Sequence, residues 1–201
     1  MPCRRTFLTL LAALPFGVTS DAASATAPVA ATAFIGKTAD RLVTVINGAG
    51  TLEERRKGLA PIIDGAVDVD GVARFCLGRF WRAATPDQQQ QYLSLFRPVL
   101  IGDIAVKLGD YRGVSYALGY SSDRDEGELV TTTVNRPNKP PTTMQWLVAN
   151  AATNPKIIDV IVEGTSLRVT RREDYASFLT HTANSISALL DAMHRQVEQT
   201  G

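Results

Sequence analysis

Apolar positions along this chain change their period, and the changes mark out its elements. From Phe34 they recur at Ile35, Leu42, Val45 and Ile46, the one-sided spacing of a helix, which Asn47-Gly48 and then Gly50 bring to an end. Thr51 opens a second helix, with Glu53 to Lys57 on its wet side and Leu59, Ile62 and Ile63 turned inward. Asp68 to Leu77 predict a third, short helix closed by Gly78, a residue suited to a C-cap. Thr85, Pro86 and Gln88 then spell a capping box with proline at the first helical position. The helix they start runs to about Leu108. It carries two adjacent apolar rows, one through Leu93, Phe96, Leu100 and Ile104, the other through Tyr92, Leu95, Val99 and Val106. Two rows make a face wider than a surface helix needs, and Pro98 inside it predicts a bend.

After Tyr111-Arg112-Gly113 the period shortens to two. Tyr116, Leu118 and Tyr120 alternate, then Val130, Thr132 and Val134, then Met144, Trp146 and Val148, then Ile158, Val160 and Val162. Polar turns such as Ser122 to Glu128 and Asn135 to Pro141 separate them, so the reading is an antiparallel four-stranded meander. Leu167 and Val169 continue the alternation past Gly164. Thr170 and Glu173 suggest a further capping box, opening one long C-terminal helix from Tyr175 through Phe178, Leu179, Ile186, Leu190 and Met193 to Val197. Helices, then a sheet, then a helix is the order of an α+β fold with helices covering one sheet face.

The first residues read as an address. Arg4-Arg5 precede a short apolar run from Thr6 to Val18, and Ala23-Ser24-Ala25 suits a signal peptidase. We read residues 1–25 as a signal peptide, with export by the general or the twin-arginine route left open, 26–33 as a flexible Ala/Thr/Pro linker and 34–201 as a single domain. The signal holds Arg4, Arg5 and Asp21, so the rest of the chain is formally neutral, which gives no electrostatic reason to bind nucleic acid. Cys3 leaves with the signal, so Cys76 has no disulfide partner and reads as a small buried hydrophobe.

Chemistry is sparse. The two histidines, His181 and His194, share the C-terminal segment, and no metal-ligand spacing, cofactor-binding motif or phosphate loop is present. Ser166 lies outside any nucleophile-elbow pattern and reads as a hydroxyl that bonds locally at a bend. Asp159 and Glu163 fall opposite the apolar face of their strand, where solvent or a helix cap suits them. The chain therefore reads as a non-enzyme without cofactor. Periodicity alone leaves two uses for its surplus apolar rows: an ordinary core, or the wall of a cavity.

Two segments tilt that choice. Ala73-Arg74, Leu77-Gly78, Trp81-Arg82, Ala84-Thr85, Gln88, Tyr92 and Phe96 in "ARFCLGRFWRAATPDQQQQYLSLF" resemble the MlaC, or toluene-tolerance, family of periplasmic lipid-binding proteins. "PKIIDVIVEGTSLRVTRREDYASFL" resembles the same family, with Pro155 and Thr165 departing from its pattern. The resemblance implies an NTF2-like sheet with a helical part, and between them a pocket for the acyl tails of a glycerophospholipid. It implies a periplasmic, monomeric carrier working between an outer-membrane lipoprotein-porin complex and an inner-membrane ABC transporter with an MCE-domain subunit. Wording near "EGTSLR" is also similar to a hopanoid-associated branch, so a phospholipid or a hopanoid cargo stays open, as does a non-transporting module with an ordinary core. On the resemblance and the apolar rows together, the lipid-contacting candidates are Phe75, Trp81, Tyr92, Phe96, Leu100, Tyr116, Trp146, Val148, Val160 and Tyr175.

Overall fold

Side-chain caps set where most of the helices begin. The computed structural model describes residues 27–48 and 50–200, so the expected signal peptide lies outside the described residues. Helix α1 spans Ala27–Gly48. It takes in most of the stretch expected as linker, because alanine favours helix and Ala31, fully buried, packs with Ile35 against Val130, Val148 and Ile157. Helix α2 (Leu52–Ala66) starts at a complete capping box: Thr51 Oγ1 accepts from the Glu54 N–H at 3.1 Å, and Glu54 Oε2 accepts from the Thr51 N–H at 2.9 Å. Asp68 caps α3 (Val69–Leu77) through the Gly71 N–H, and Gly78 ends it at φ 56, a left-handed conformation that glycine adopts without cost from a Cβ. A 3-10 turn, Gly78–Arg82, leads to α4 (Pro86–Lys107), whose Thr85–Gln88 box forms as expected. Pro98 stands inside α4, and a second 3-10 turn, Leu108–Tyr111, follows it.

The sheet is the expected meander with a small addition. Strands β1 (Ser115–Arg124), β2 (Gly127–Asn135), β3 (Thr142–Ala149), β4 (Lys156–Val162) and β5 (Thr165–Ser166) lie in chain order, each antiparallel to the next. The register puts Thr132, Met144 and Val162 in one row across the sheet and Val130, Trp146 and Val160 in the next. Edge strand β1 carries an irregularity between Leu118 and Ser121, and Leu118 and Tyr120 are exposed instead of facing the core.

Two expectations after Gly164 are corrected. Leu167 and Val169 do not prolong the strand; they begin α5 (Leu167–His181). Ser166 is the N-cap, accepting from the Val169 N–H at 3.1 Å and donating to Asp159 Oδ2 at 2.6 Å, while Asp159 Oδ1 accepts from the Arg168 N–H. Thr170 is already inside the helix, with its hydroxyl donating to the Ser166 carbonyl. The single long C-terminal helix is in fact two: Ala183 and Asn184 take left-handed φ values of 52 and 60, and Ser185 caps α6 (Ile186–Thr200) through the Ala188 N–H. The apolar period survives the break because both helices face the same core.

That core is helical. Ala73, Leu77, Tyr92, Phe96, Leu179, Leu189 and Met193 from α3, α4, α5 and α6 fill it. A second cluster joins α1 and the end of α2 to the sheet. Polar ties fix α2 between the two: Arg97 grips Asp64 with two bonds of 2.6 Å, Arg55 Nε donates to the Ala105 carbonyl, and Lys156 Nζ donates to the Gly65 carbonyl. The helical layer and the sheet layer therefore meet along α2 and the C-terminal end of α4, and there they do not close completely.

Candidate functional site

The gap is a cavity of about 360 Å³. One wall is the sheet face, with Tyr116, Thr132, Val134, Met144, Trp146, Val160 and Val162. The opposite wall comes from α1 (Thr38, Ala39, Leu42, Val43, Ile46) and α2 (Ile62, Ile63, Ala66). Ile104, Lys107, Leu108 and Tyr111 close one side and Leu167 another. Lys107 and Leu167, on these two sides, are exposed to solvent.

What the wall offers chemically follows from where its polar groups point. Thr38 Oγ1 donates to the Phe34 carbonyl at 2.8 Å. Thr132 Oγ1 accepts from Trp146 Nε1 at 2.9 Å and donates to the Met144 carbonyl. The Tyr116 hydroxyl sits 2.7 Å from Asp40 Oδ1 and 2.9 Å from the Gly36 carbonyl, donating to one at a time. Burial first, and the Asp40 carboxylate second, push that phenol up to about 12, so it stays protonated. These donors are spent within the protein. The interior presents carbon, and a molecule entering it gains by leaving water, not by making hydrogen bonds.

Of the ten candidate residues, the cavity wall includes Tyr116, Trp146 and Val160. The aromatic stretch lies elsewhere. Tyr92 is fully buried in the helical core, its hydroxyl donating to the Ala73 carbonyl, with Trp81, Phe96 and Tyr175 at ring-centroid distances of 6.4, 5.8 and 6.1 Å. Phe75 lies beneath the Arg168 and Arg172 guanidinium groups, 4.3 and 5.2 Å from its ring centre. Leu100 packs between two helical clusters, and Val148 is fully buried against α1. Those seven are packing residues here: six belong to helices α3 to α6 and the turn between α3 and α4, which close on one another, and Val148 is covered by α1.

The lining residues missing from the candidates fall into three kinds. Thr132, Val134, Met144 and Val162 share the sheet face of Tyr116 and Trp146, and strand alternation could have supplied them. Leu42, Ile46, Ile62 and Ile63 were recognised as inward positions, with nothing in the sequence to say that they face a void. Lys107 carried no signal at all.

Other chemistry is accounted for by packing. Cys76 is buried, its thiol donates to the Arg168 carbonyl at 3.6 Å, and burial pushes it up to about 12. Ser166 is occupied as a helix cap, and the carboxylate it touches, Asp159, also faces Arg168 Nε at 3.5 Å. Among the described residues, no group of three or more His, Cys, Asp and Glu gathers to hold a metal ion, and no helix is long and apolar enough to cross a membrane.

Comparison with known proteins agrees with this geometry. The sequence profile of a family described as MlaC protein matches residues 37–195. Among solved structures, the fold is similar to that of a phospholipid-binding protein from Ralstonia solanacearum in complex with a phospholipid, with a TM-score of 0.73 and 24% identity. The match covers 85% of this chain and 98% of that one.

Proposed function

As a chain that belongs to the MlaC family, this protein is, we propose, a periplasmic lipid carrier that shelters the acyl tails of a glycerophospholipid in the cavity between α1, α2 and the sheet. The observation that carries the reading is an apolar cavity in which the polar groups of Thr38, Thr132 and Trp146 are already bonded to the protein. Each methylene moved from water into such a space is worth ~0.8 kcal/mol, so long tails supply enough to hold a molecule that cannot cross water alone. The related Ralstonia protein, which has the same fold and binds a phospholipid, supports the choice of cargo. The carrier would pass its lipid between an outer-membrane lipoprotein-porin complex and an inner-membrane MCE-domain ABC transporter, without catalysing a reaction. Residues 1–25 would direct its export.

Mass spectrometry of lipid extracted from the purified protein tests this. Glycerophospholipid recovered at near one equivalent is the expected result, and the same spectrum distinguishes it from a polycyclic hopanoid. Protein that is reproducibly empty and takes nothing from phospholipid vesicles would overturn the reading.

A further inference from the structure

The cavity has one charged residue in its wall, Lys107, in the last turn of α4. Its side chain makes no ion pair or hydrogen bond among the described residues, although other cations in the fold are committed: Arg97 to Asp64, Arg168 to Glu126 and Asp159, Arg171 to Asp103. One turn further on, Tyr111 also lines the cavity, and the guanidinium of Arg136 lies 4.6 Å from the centre of its ring. Arg136 donates one long bond, 3.3 Å, to Thr142 Oγ1, while its Nε is buried without a partner. Asp110, the acid in the same 3-10 turn, forms an ion pair with neither cation. Lys107 thus brings an uncommitted charge to the cavity wall, and Arg136, with a donor unspent, stacks on Tyr111 of the same wall.

Resting on the lipid reading above, we propose that Lys107 and Arg136 form the subsite for the phosphate of an anionic phospholipid, with Tyr111 between the headgroup and the tails. The chemistry suits the two partners differently. A lysine ammonium is a mobile point charge that can follow a phosphate at the solvent boundary. A guanidinium stacked on a ring has its fork held in place and offers directed donors to phosphate oxygens. A neutral polycyclic lipid would leave both cations without an anion, so the pair also selects between cargo classes.

Delipidated wild-type protein and the variants Lys107→Gln, Lys107→Arg, Arg136→Gln and the double Gln variant would be titrated with phosphatidylglycerol and with diacylglycerol of the same tails, following tryptophan fluorescence. Removing a charge-assisted bond predicts that each single Gln variant binds phosphatidylglycerol about tenfold more weakly, with Lys107→Arg near wild type and diacylglycerol unaffected. Millimolar inorganic phosphate is expected to leave lipid binding unchanged. Equal phosphatidylglycerol affinity in wild type and the double variant would overturn the subsite. So would a parallel loss for diacylglycerol, or a Lys107-dependent response to inorganic phosphate alone. Lys107 is exposed, so its Gln variant tests the charge apart from folding, and melting curves verify this. If wild type binds neither lipid, the carrier reading itself fails and the subsite falls with it.

Discussion

Thr132 lines the cavity with a hydroxyl that is already engaged twice, accepting from Trp146 Nε1 and donating to the Met144 carbonyl. Thr132→Val would keep the shape and strand Trp146 Nε1, so we expect a loss of about 1–3 kcal/mol in urea unfolding with little change in lipid affinity. Loss of affinity with unchanged stability would show that the hydroxyl serves the ligand instead. Glu128 presents the opposite case, a buried carboxylate with one oxygen lacking a partner. Desolvation, and then the nearby Asp123 charge, raise its pKa. A carboxyl raised in the fold contributes most below its unfolded pKa, and that contribution is lost as pH rises through the folded value. Glu128→Gln should therefore raise the melting temperature measured at pH 7. The gain should vanish in acid, where wild type carries the proton too; an equal gain at both pH values would assign the effect to packing.

Among the elements, those announced by their own side chains were legible. Thr51, Thr85, Asp68 and Gly78 mark helix ends through bonds local to a few residues, and strand alternation placed the meander. The seam between α5 and α6 was hidden because apolar residues keep their period across it. The cavity was hidden for a related reason: Ile62 and Phe96 have the same inward signature, yet one faces a void and the other a packed core. Periodicity reports which way a side chain points, while the distance to the opposing element depends on how the layers close. The seam itself is testable. Ala183 is exposed and holds φ 52, where an L-residue pays for its Cβ. Ala183→Gly should relieve this and stabilise by about 0.5–1 kcal/mol after allowing for the greater freedom of glycine when unfolded. A lowered urea midpoint would mean that the turn carries no such strain.

At the scale of the whole molecule, one ligand would touch both layers. The cavity wall draws on α1, α2, the end of α4, the sheet and the first residue of α5, so a bound lipid contacts elements that otherwise meet along a partly open seam. A ligand that binds only the folded form adds RT ln(1 + [L]/Kd), about 2.7 kcal/mol at a hundredfold excess over Kd. At 2–4 °C per kcal/mol, that is a rise of roughly 5–10 °C in melting temperature. Calorimetry of delipidated protein, reloaded from phosphatidylglycerol vesicles, should show this rise. A module whose apolar rows form only a core predicts no shift. The tryptophans supply an internal control, because Trp146 lines the cavity and Trp81 packs in the helical core. Loading should therefore shift the emission of a Trp81→Phe variant and leave that of a Trp146→Phe variant nearly unchanged. A shift carried by Trp81 would instead place the lipid among α3 to α6, where the aromatic stretch is.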